Sequence, residues 1–247
     1  MMAGSSLPQS VQASEFLGSL CGETELPILF HRRDGNGGVS MGSREKTYKG
    51  MSLFTVVGER KYLCPKERAR FLDCLNVLKN PRDRTFCAML HWTGCRPSEA
   101  LALTAMQIDC DLGAVIIGSL KKRGRWKDRH FRSVPVPVPG HFIEMLDAVH
   151  GIRAAQAEAD HGKSSRLWTL SRTTAFHRVR SVMQAAGLSG TKASAKGLRH
   201  AYGVHAALSQ IPETRIKAWL GHASLETTEI YLDTAGPEDQ TIAERMW

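Results

Sequence analysis

No run of about 18 apolar residues occurs in the 247-residue chain, so the sequence offers no candidate for a membrane-spanning helix. The N-terminus lacks a basic flank followed by an apolar stretch and a small-residue cleavage site, so no secretory leader is expected. The expected compartment is the cytoplasm. Cysteine is sparse and unpatterned. The six residues (Cys21, Cys64, Cys74, Cys87, Cys95, Cys110) form no C-x-x-C pair and have no histidine at ligand spacing. Neither a zinc site nor a disulfide framework is therefore expected, and the thiols read as reduced and mostly buried. Clustered carboxylates are missing as well, so nothing resembles a magnesium site, and no metal or cofactor is called for. No internal repeat is present.

What is there is an ordinary core and a lopsided charge. At 42% hydrophobic, the chain has room for one large domain or two small ones. The formal net charge is +9, and residues 1–60 contribute none of it, with six Lys/Arg against six Asp/Glu. The excess sits on residues 61–247, as expected of a domain that binds a polyanion; a solvated basic surface is the plain alternative.

Residues 1–60 hold Ser/Gly/Asn-rich stretches such as Arg33-Asp-Gly-Asn-Gly-Gly and read as a largely disordered or extended tail, with Leu53-Phe-Thr-Val-Val as a short extended piece. From Leu63 the pattern turns helical. Pro65 opens a helix with Phe71, Leu72, Leu75 and Leu78 on one face, ending near Asn80-Pro81; a second helix runs from about Asp83 to Trp92, and a third follows Pro97. Between Gly113 and Pro139 the period falls to two, which predicts a β-hairpin or small sheet with a long basic turn. Helices are predicted over 139–150, 152–161, 172–186, 197–210, 212–220 and 224–232, with a tail helix near 238–245. The expected fold is mainly α with a small antiparallel β-sheet.

Five pieces carry chemistry. Arg96 follows Gly94 and precedes Pro97 at a helix start, and Glu99, one turn on, is placed to fix its guanidinium from behind. Alone, that pair reads as a surface ion pair. Residues 121–132 hold seven Lys/Arg (Lys121, Lys122, Arg123, Arg125, Lys127, Arg129, Arg132) against one Asp, with Trp126 and Phe131 interleaved. Like-charge repulsion makes a phosphate backbone the natural partner of such a turn, with a solvated loop as the alternative. Lys121 or Lys122 is also suited to protonating a leaving oxygen, because an ammonium beside other cations has a lowered pKa. Lys196-Gly-Leu-Arg199-His200 lies near a helix start, where free backbone N–H groups favour an anion. Last come Leu220-Gly-His222 and Tyr231, nine residues after that histidine. Singly, the histidines and the tyrosine read as core or supporting residues.

Taken together, T-G-C-R-P-S-E-A-L around Arg96, a lysine in a basic hairpin, the Arg199-His200 pair, L-G-H and a tyrosine nine residues on resemble the tyrosine recombinase, or phage integrase, family over about residues 61–247. The resemblance implies that family's catalytic-domain fold, with a C-terminal tail helix from about 236. It implies that Arg96 and Arg199 clamp the scissile phosphate, that Lys121 or Lys122 is general acid to the leaving 5′-oxygen, that His222 hydrogen-bonds the phosphate and that Tyr231 is the nucleophile. Glu99 and His200 would support them, and Arg123, Arg125, Lys127, Arg129 and Arg132 would contact DNA. Where the family usually has histidine, this chain has Lys196, which keeps a phosphate donor but is a poor general base unless its pKa is depressed. Relatives also usually carry a helical core-binding domain of about 80–100 residues ahead of the catalytic one, a typical small-domain size. The 60 residues ahead of residue 61 read as too few and too polar for it, so no full core-binding domain is expected there. The expectation is either DNA clasped by one domain with a flexible tail or help from a partner.

The expected activity is a site-specific recombinase or integrase that cleaves and rejoins double-stranded DNA through a 3′-phosphotyrosine, without metal or ATP. The expected assembly is a homotetramer on DNA, with a monomer free in solution as the state off DNA, associated with a bacterial nucleoid or plasmid and with no membrane. A type IB topoisomerase-like relaxing enzyme would use the same residues. A catalytically weak DNA-binding regulator is the rival of a different class.

Overall fold

The computed structural model describes residues 52–118, 135–158, 165–232, 243, 244 and 246. Most of the expected N-terminal tail, the basic turn with its seven cationic residues, and nearly all of the expected tail helix lie outside the described residues.

Helix starts follow local chemistry. Proline occupies the first position of α1 (Pro65–Asp73), α2 (Pro81–Thr93) and α3 (Pro97–Ala100), where its missing N–H costs nothing. The Asn80 side chain caps α2 by accepting from the Arg82 backbone N–H at 2.9 Å. The first predicted helix is shorter than expected: it gives way after Asp73 to a 3₁₀ turn over Cys74–Val77. Likewise, the strand expected over 53–57 reduces to one bridge, Phe54 to Arg60, around a turn in which Gly58 N–H donates to Thr55 O at 3.0 Å.

The small sheet has three strands, one more than a hairpin. Order and register follow β1 (Ile108–Asp109), β2 (Ala114–Val115) and β3 (Val136–Pro137), all antiparallel, with Ile108 opposite Val115 and Val115 opposite Val136. α4 (Gly140–His150) and α5 (Ile152–Ala157) follow, separated by Gly151 in the left-handed region. α6 (Arg172–Ala185), α7 (Ala195–Leu208), α8 (Glu213–Leu220) and the one-turn α9 (Glu226–Glu229) complete the helices. Among the described residues no helix is long and apolar enough to cross a membrane.

α2 is the axis of the core. Phe86, Cys87, Ala88, Met89 and Leu90 are buried in succession, so the helix is covered on nearly all sides, and α1, α3, α4, α6 and α7 pack against it. Each large apolar side chain so buried contributes about 1.5–3 kcal/mol relative to exposure. Its end sets the site. Gly94 stops α2 with φ +59°, and a Cβ there would lie 2.8 Å from Cγ of Tyr202, so the position requires glycine on both counts. The chain then turns directly into Arg96.

Candidate active site

Arg96 is the N-cap residue of α3. Its backbone N–H donates to Glu99 Oε2 at 2.9 Å and its Nη1 donates to Glu99 Oε1 at 2.7 Å. Glu99 is buried, while the arginine side chain is 34% exposed, so a fixed carboxylate holds a guanidinium that still faces solvent. The predicted ion pair is therefore formed, and its geometry suits presentation of the fork outward.

Arg199 departs from the expected placement. α7 begins at Ala195, capped by Ser194, whose Oγ accepts from Gly197 N–H at 3.1 Å, so Arg199 is its fifth residue and lies beyond the free N–H groups of the first turn. The side chain is buried. Nη1 donates to the Gly94 carbonyl at 2.9 Å and Nη2 to the Leu220 carbonyl at 2.7 Å. Gly94 and Leu220 end α2 and α8, so one guanidinium ties together two helix C-termini, whose unpaired carbonyls carry partial negative charge.

His222 follows Gly221, which ends α8 in the left-handed conformation. Its Nδ1 lies 2.9 Å from Thr228 Oγ1, and Thr228 is fully buried at the end of α9. Tyr231 sits past that helix, in the following turn, and not on it as the sequence predicts; α9 closes at Glu229. The phenol is 1% exposed. His222 stacks against its ring at 6.0 Å between centroids, and His200 Nδ1 lies 3.3 Å from its hydroxyl oxygen. Burial pushes the phenol pKa up to about 12, with the charges of Arg199 and then Arg96 pulling the other way. His200 is held near 4, first by burial and then by Lys196, Arg199 and Lys61. Of the predicted residues, then, Arg96, Glu99, Lys196, Arg199, His200, His222 and Tyr231 share one neighbourhood, with Lys196 exposed at its rim. Lys121, Lys122 and the other basic-turn residues lie outside the described residues.

Three contributors escape sequence reading. Thr228 orients His222, Lys61 adds a cation from the segment before α1, and Gly203 makes room for the tyrosine. The glycine left a signal: in a helix interior it costs about 1 kcal/mol against alanine, which suggests close approach of a neighbour. A Cβ at Gly203 would lie 2.6 Å from the Tyr231 ring. Because the obstructed atoms are the far end of a side chain, Gly203→Ala will displace the ring instead of unfolding the domain. The expected results are a urea-unfolding free energy changed by no more than about 1–2 kcal/mol and one tyrosine titrating nearer to ~10 in ultraviolet absorbance.

The phage integrase family model matches residues 61–236. Among curated relatives, the tyrosine recombinase XerD of Haemophilus ducreyi is 28% identical over 181 residues, covering 71% of this chain and 58% of the relative. XerD of Pseudomonas aeruginosa is 29% identical, covering 66% and 53% respectively. XerA of Thermococcus kodakarensis is 27% identical, covering 69% and 57%. The chain thus spans somewhat over half the length of these relatives. Three solved structures share the fold. XerA recombinase has a TM-score of 0.60 at 18% identity, covering 75% of this chain and 64% of that one. XerH bound to its difH substrate before cleavage scores 0.56 at 23% identity, with 76% and 54% covered. The catalytic domain of bacteriophage HP1 integrase scores 0.52 at 20% identity, with 74% and 93% covered.

Proposed function

The chain belongs to the phage integrase family, and on that premise we propose that it is a site-specific DNA strand transferase whose nucleophile is Tyr231. The observation that carries the reading is convergence: the charges of Arg199 and Arg96 both act on the Tyr231 phenol, with histidines on two sides of it. Two guanidiniums beside a hydroxyl form a seat for one phosphodiester. As the oxygen attacks, negative charge grows on the nonbridging oxygens. Fixed donors lower that barrier, each worth about 3 kcal/mol in an acyl-transfer analogue.

Attack forms a 3′-phosphotyrosine and releases a 5′-oxygen, protonated by a lysine, for which Lys121 and Lys122 are the candidates. Lys196 and His222 would hydrogen-bond the phosphate, Glu99 would brace Arg96, and Arg123, Arg125, Lys127, Arg129 and Arg132 would track the DNA backbone. The covalent link preserves the phosphodiester, so a second strand can be joined without ATP. Exchange between two duplexes requires several protomers, and a homotetramer on double-stranded DNA is the assembly proposed, acting in the cytoplasm on a nucleoid or plasmid.

The test uses the whole chain and a random-sequence duplex library carrying nicks, quenched with SDS. The expected result is an adduct that protease digestion and mass spectrometry map to Tyr231, with the trapped DNA revealing the site. Salt-sensitive DNA binding without any adduct would favour a binding protein instead. Relaxation of supercoiled plasmid without exchange between two sites would favour the topoisomerase-like reading.

A further inference from the structure

We propose that His200 is itself a catalytic residue, the base whose Nδ1 takes the phenolic proton as Tyr231 attacks phosphorus. The inference rests on the covalent reading above and assigns its proton acceptor.

Geometry comes first. Nδ1 of His200 and the Tyr231 hydroxyl oxygen are 3.3 Å apart, a reach that needs only slight tightening for transfer. The other ring nitrogen, Nε2, is buried without a hydrogen-bond partner among the described residues, in a residue that is 3% exposed. The Nδ1 atoms of His91 and His150 are likewise buried without a partner among the described residues, so the open Nε2 does not single out His200; it leaves the tautomer unconstrained from that side. With its proton on Nε2, the ring leaves Nδ1 bare toward the phenol, the tautomer a base requires. Lys196 occupies the position where the resemblance would place a histidine, yet it is exposed at the rim of the site, while His200 is buried against the phenol.

Electrostatics make the transfer depend on DNA. The charged groups acting on His200 are Lys196 and Arg199 from α7 and Lys61 from the segment before α1; Tyr231 faces it from the turn after α9, with His222 stacked on that phenol. Burial and those three cations keep the imidazole neutral and weakly basic, near 4, against a phenol near 12, so without DNA the proton stays on tyrosine. A phosphodiester seated among the cations would offset their pull and raise the basicity of the ring. Substrate would thereby switch on its own nucleophile.

The step balances. The Oη–H bond breaks toward Nδ1, the Oη–P bond forms and the P–O5′ bond breaks. The departing 5′-oxygen takes its proton from an ammonium, that of Lys121 or Lys122 in the covalent reading above. Rejoining reverses each transfer, with His200 returning the proton to tyrosine.

The duplex recovered with wild type, synthesised with either a 5′-bridging oxygen or a 5′-bridging sulfur at the scissile position, separates the roles, because a sulfur leaving group needs no acid. His200→Asn is expected to slow adduct formation about 10²–10⁴-fold on both substrates while DNA affinity holds. It should also abolish the rise of wild-type rate with pH that deprotonation of the ring produces. Added imidazole should restore part of the rate to His200→Ala and none to Tyr231→Phe. Wild-type rates in His200→Asn would overturn the assignment. So would recovery on the sulfur substrate, which would move His200 to the leaving-group side. A slowed variant with an unaltered pH profile and no imidazole rescue would reduce it to a structural residue. Failure of wild type to form any adduct would instead bring down the covalent reading on which the assignment stands.

Discussion

Tyr231→Phe will form no SDS-stable adduct at any enzyme concentration, and it will keep the fold and the DNA affinity of the parent. The ring carries the packing: it is buried against His222 and fills the space over Gly203, and phenylalanine preserves those contacts. Only the hydroxyl is lost, together with its contact at 3.3 Å to His200. A neutral hydrogen bond contributes about 0.5–1.5 kcal/mol net, so the urea midpoint will move little. Cleavage has no such fallback, because in the proposed reaction Tyr231 supplies the attacking oxygen. Paired titrations of wild type and variant, in denaturant and against labelled duplex, will separate the two effects. A residual adduct would place the nucleophile elsewhere.

Arg199→Ala will fail in both respects. The buried guanidinium donates to the carbonyls of Gly94 and Leu220, and its removal leaves two acceptors at helix ends without that donor. Hydrogen bonds to a charged group are worth about 1.5–3 kcal/mol each, and an overall loss of about 2–4 kcal/mol is expected by urea unfolding. Loss of a transition-state donor typically costs about 10²–10³-fold in rate. Because Arg199 also holds the Gly94 corner from which Arg96 projects, the cleavage defect should reach or exceed the upper end. Arg199→Lys provides the control: the charge is retained and the fork is lost, so stability should recover in part while cleavage remains impaired. Nearly wild-type cleavage by the lysine variant would show that charge alone suffices.

How legible all this was from sequence depends on how local each determinant is. The helix starts at Pro65, Pro81 and Pro97 could be read because they depend on a few adjacent residues, and the Arg96–Glu99 pair because a turn of helix fixes its spacing. β1 leaves no mark in the sequence, because a two-residue strand carries no period and its pairing with Ala114–Val115 exists only once the chain has turned back. The sequence over 224–232 reads as one helix carrying Tyr231, yet α9 is a single turn and the tyrosine follows it. The tertiary seat between His200, His222 and Gly203 decides its position, and no window of neighbouring residues contains that seat. Lys61 and Thr228 carry no sequence signal for the same reason: their contributions arise from what folds against them.

The two bonds of Arg199 also bear on the birth of the protein. One reaches back 105 residues and the other forward 21, so neither a free N-terminal portion nor an isolated α7 holds these helix ends together. Closing the longer loop costs chain entropy that is recovered only when α2, α7 and α8 have all docked. A polypeptide still emerging from the ribosome thus carries its arginines apart and its tyrosine not yet made. A copy stalled or clipped ahead of α8 lacks Leu220 and Tyr231 alike, so on the proposed reading it has neither the closing tie nor the nucleophile.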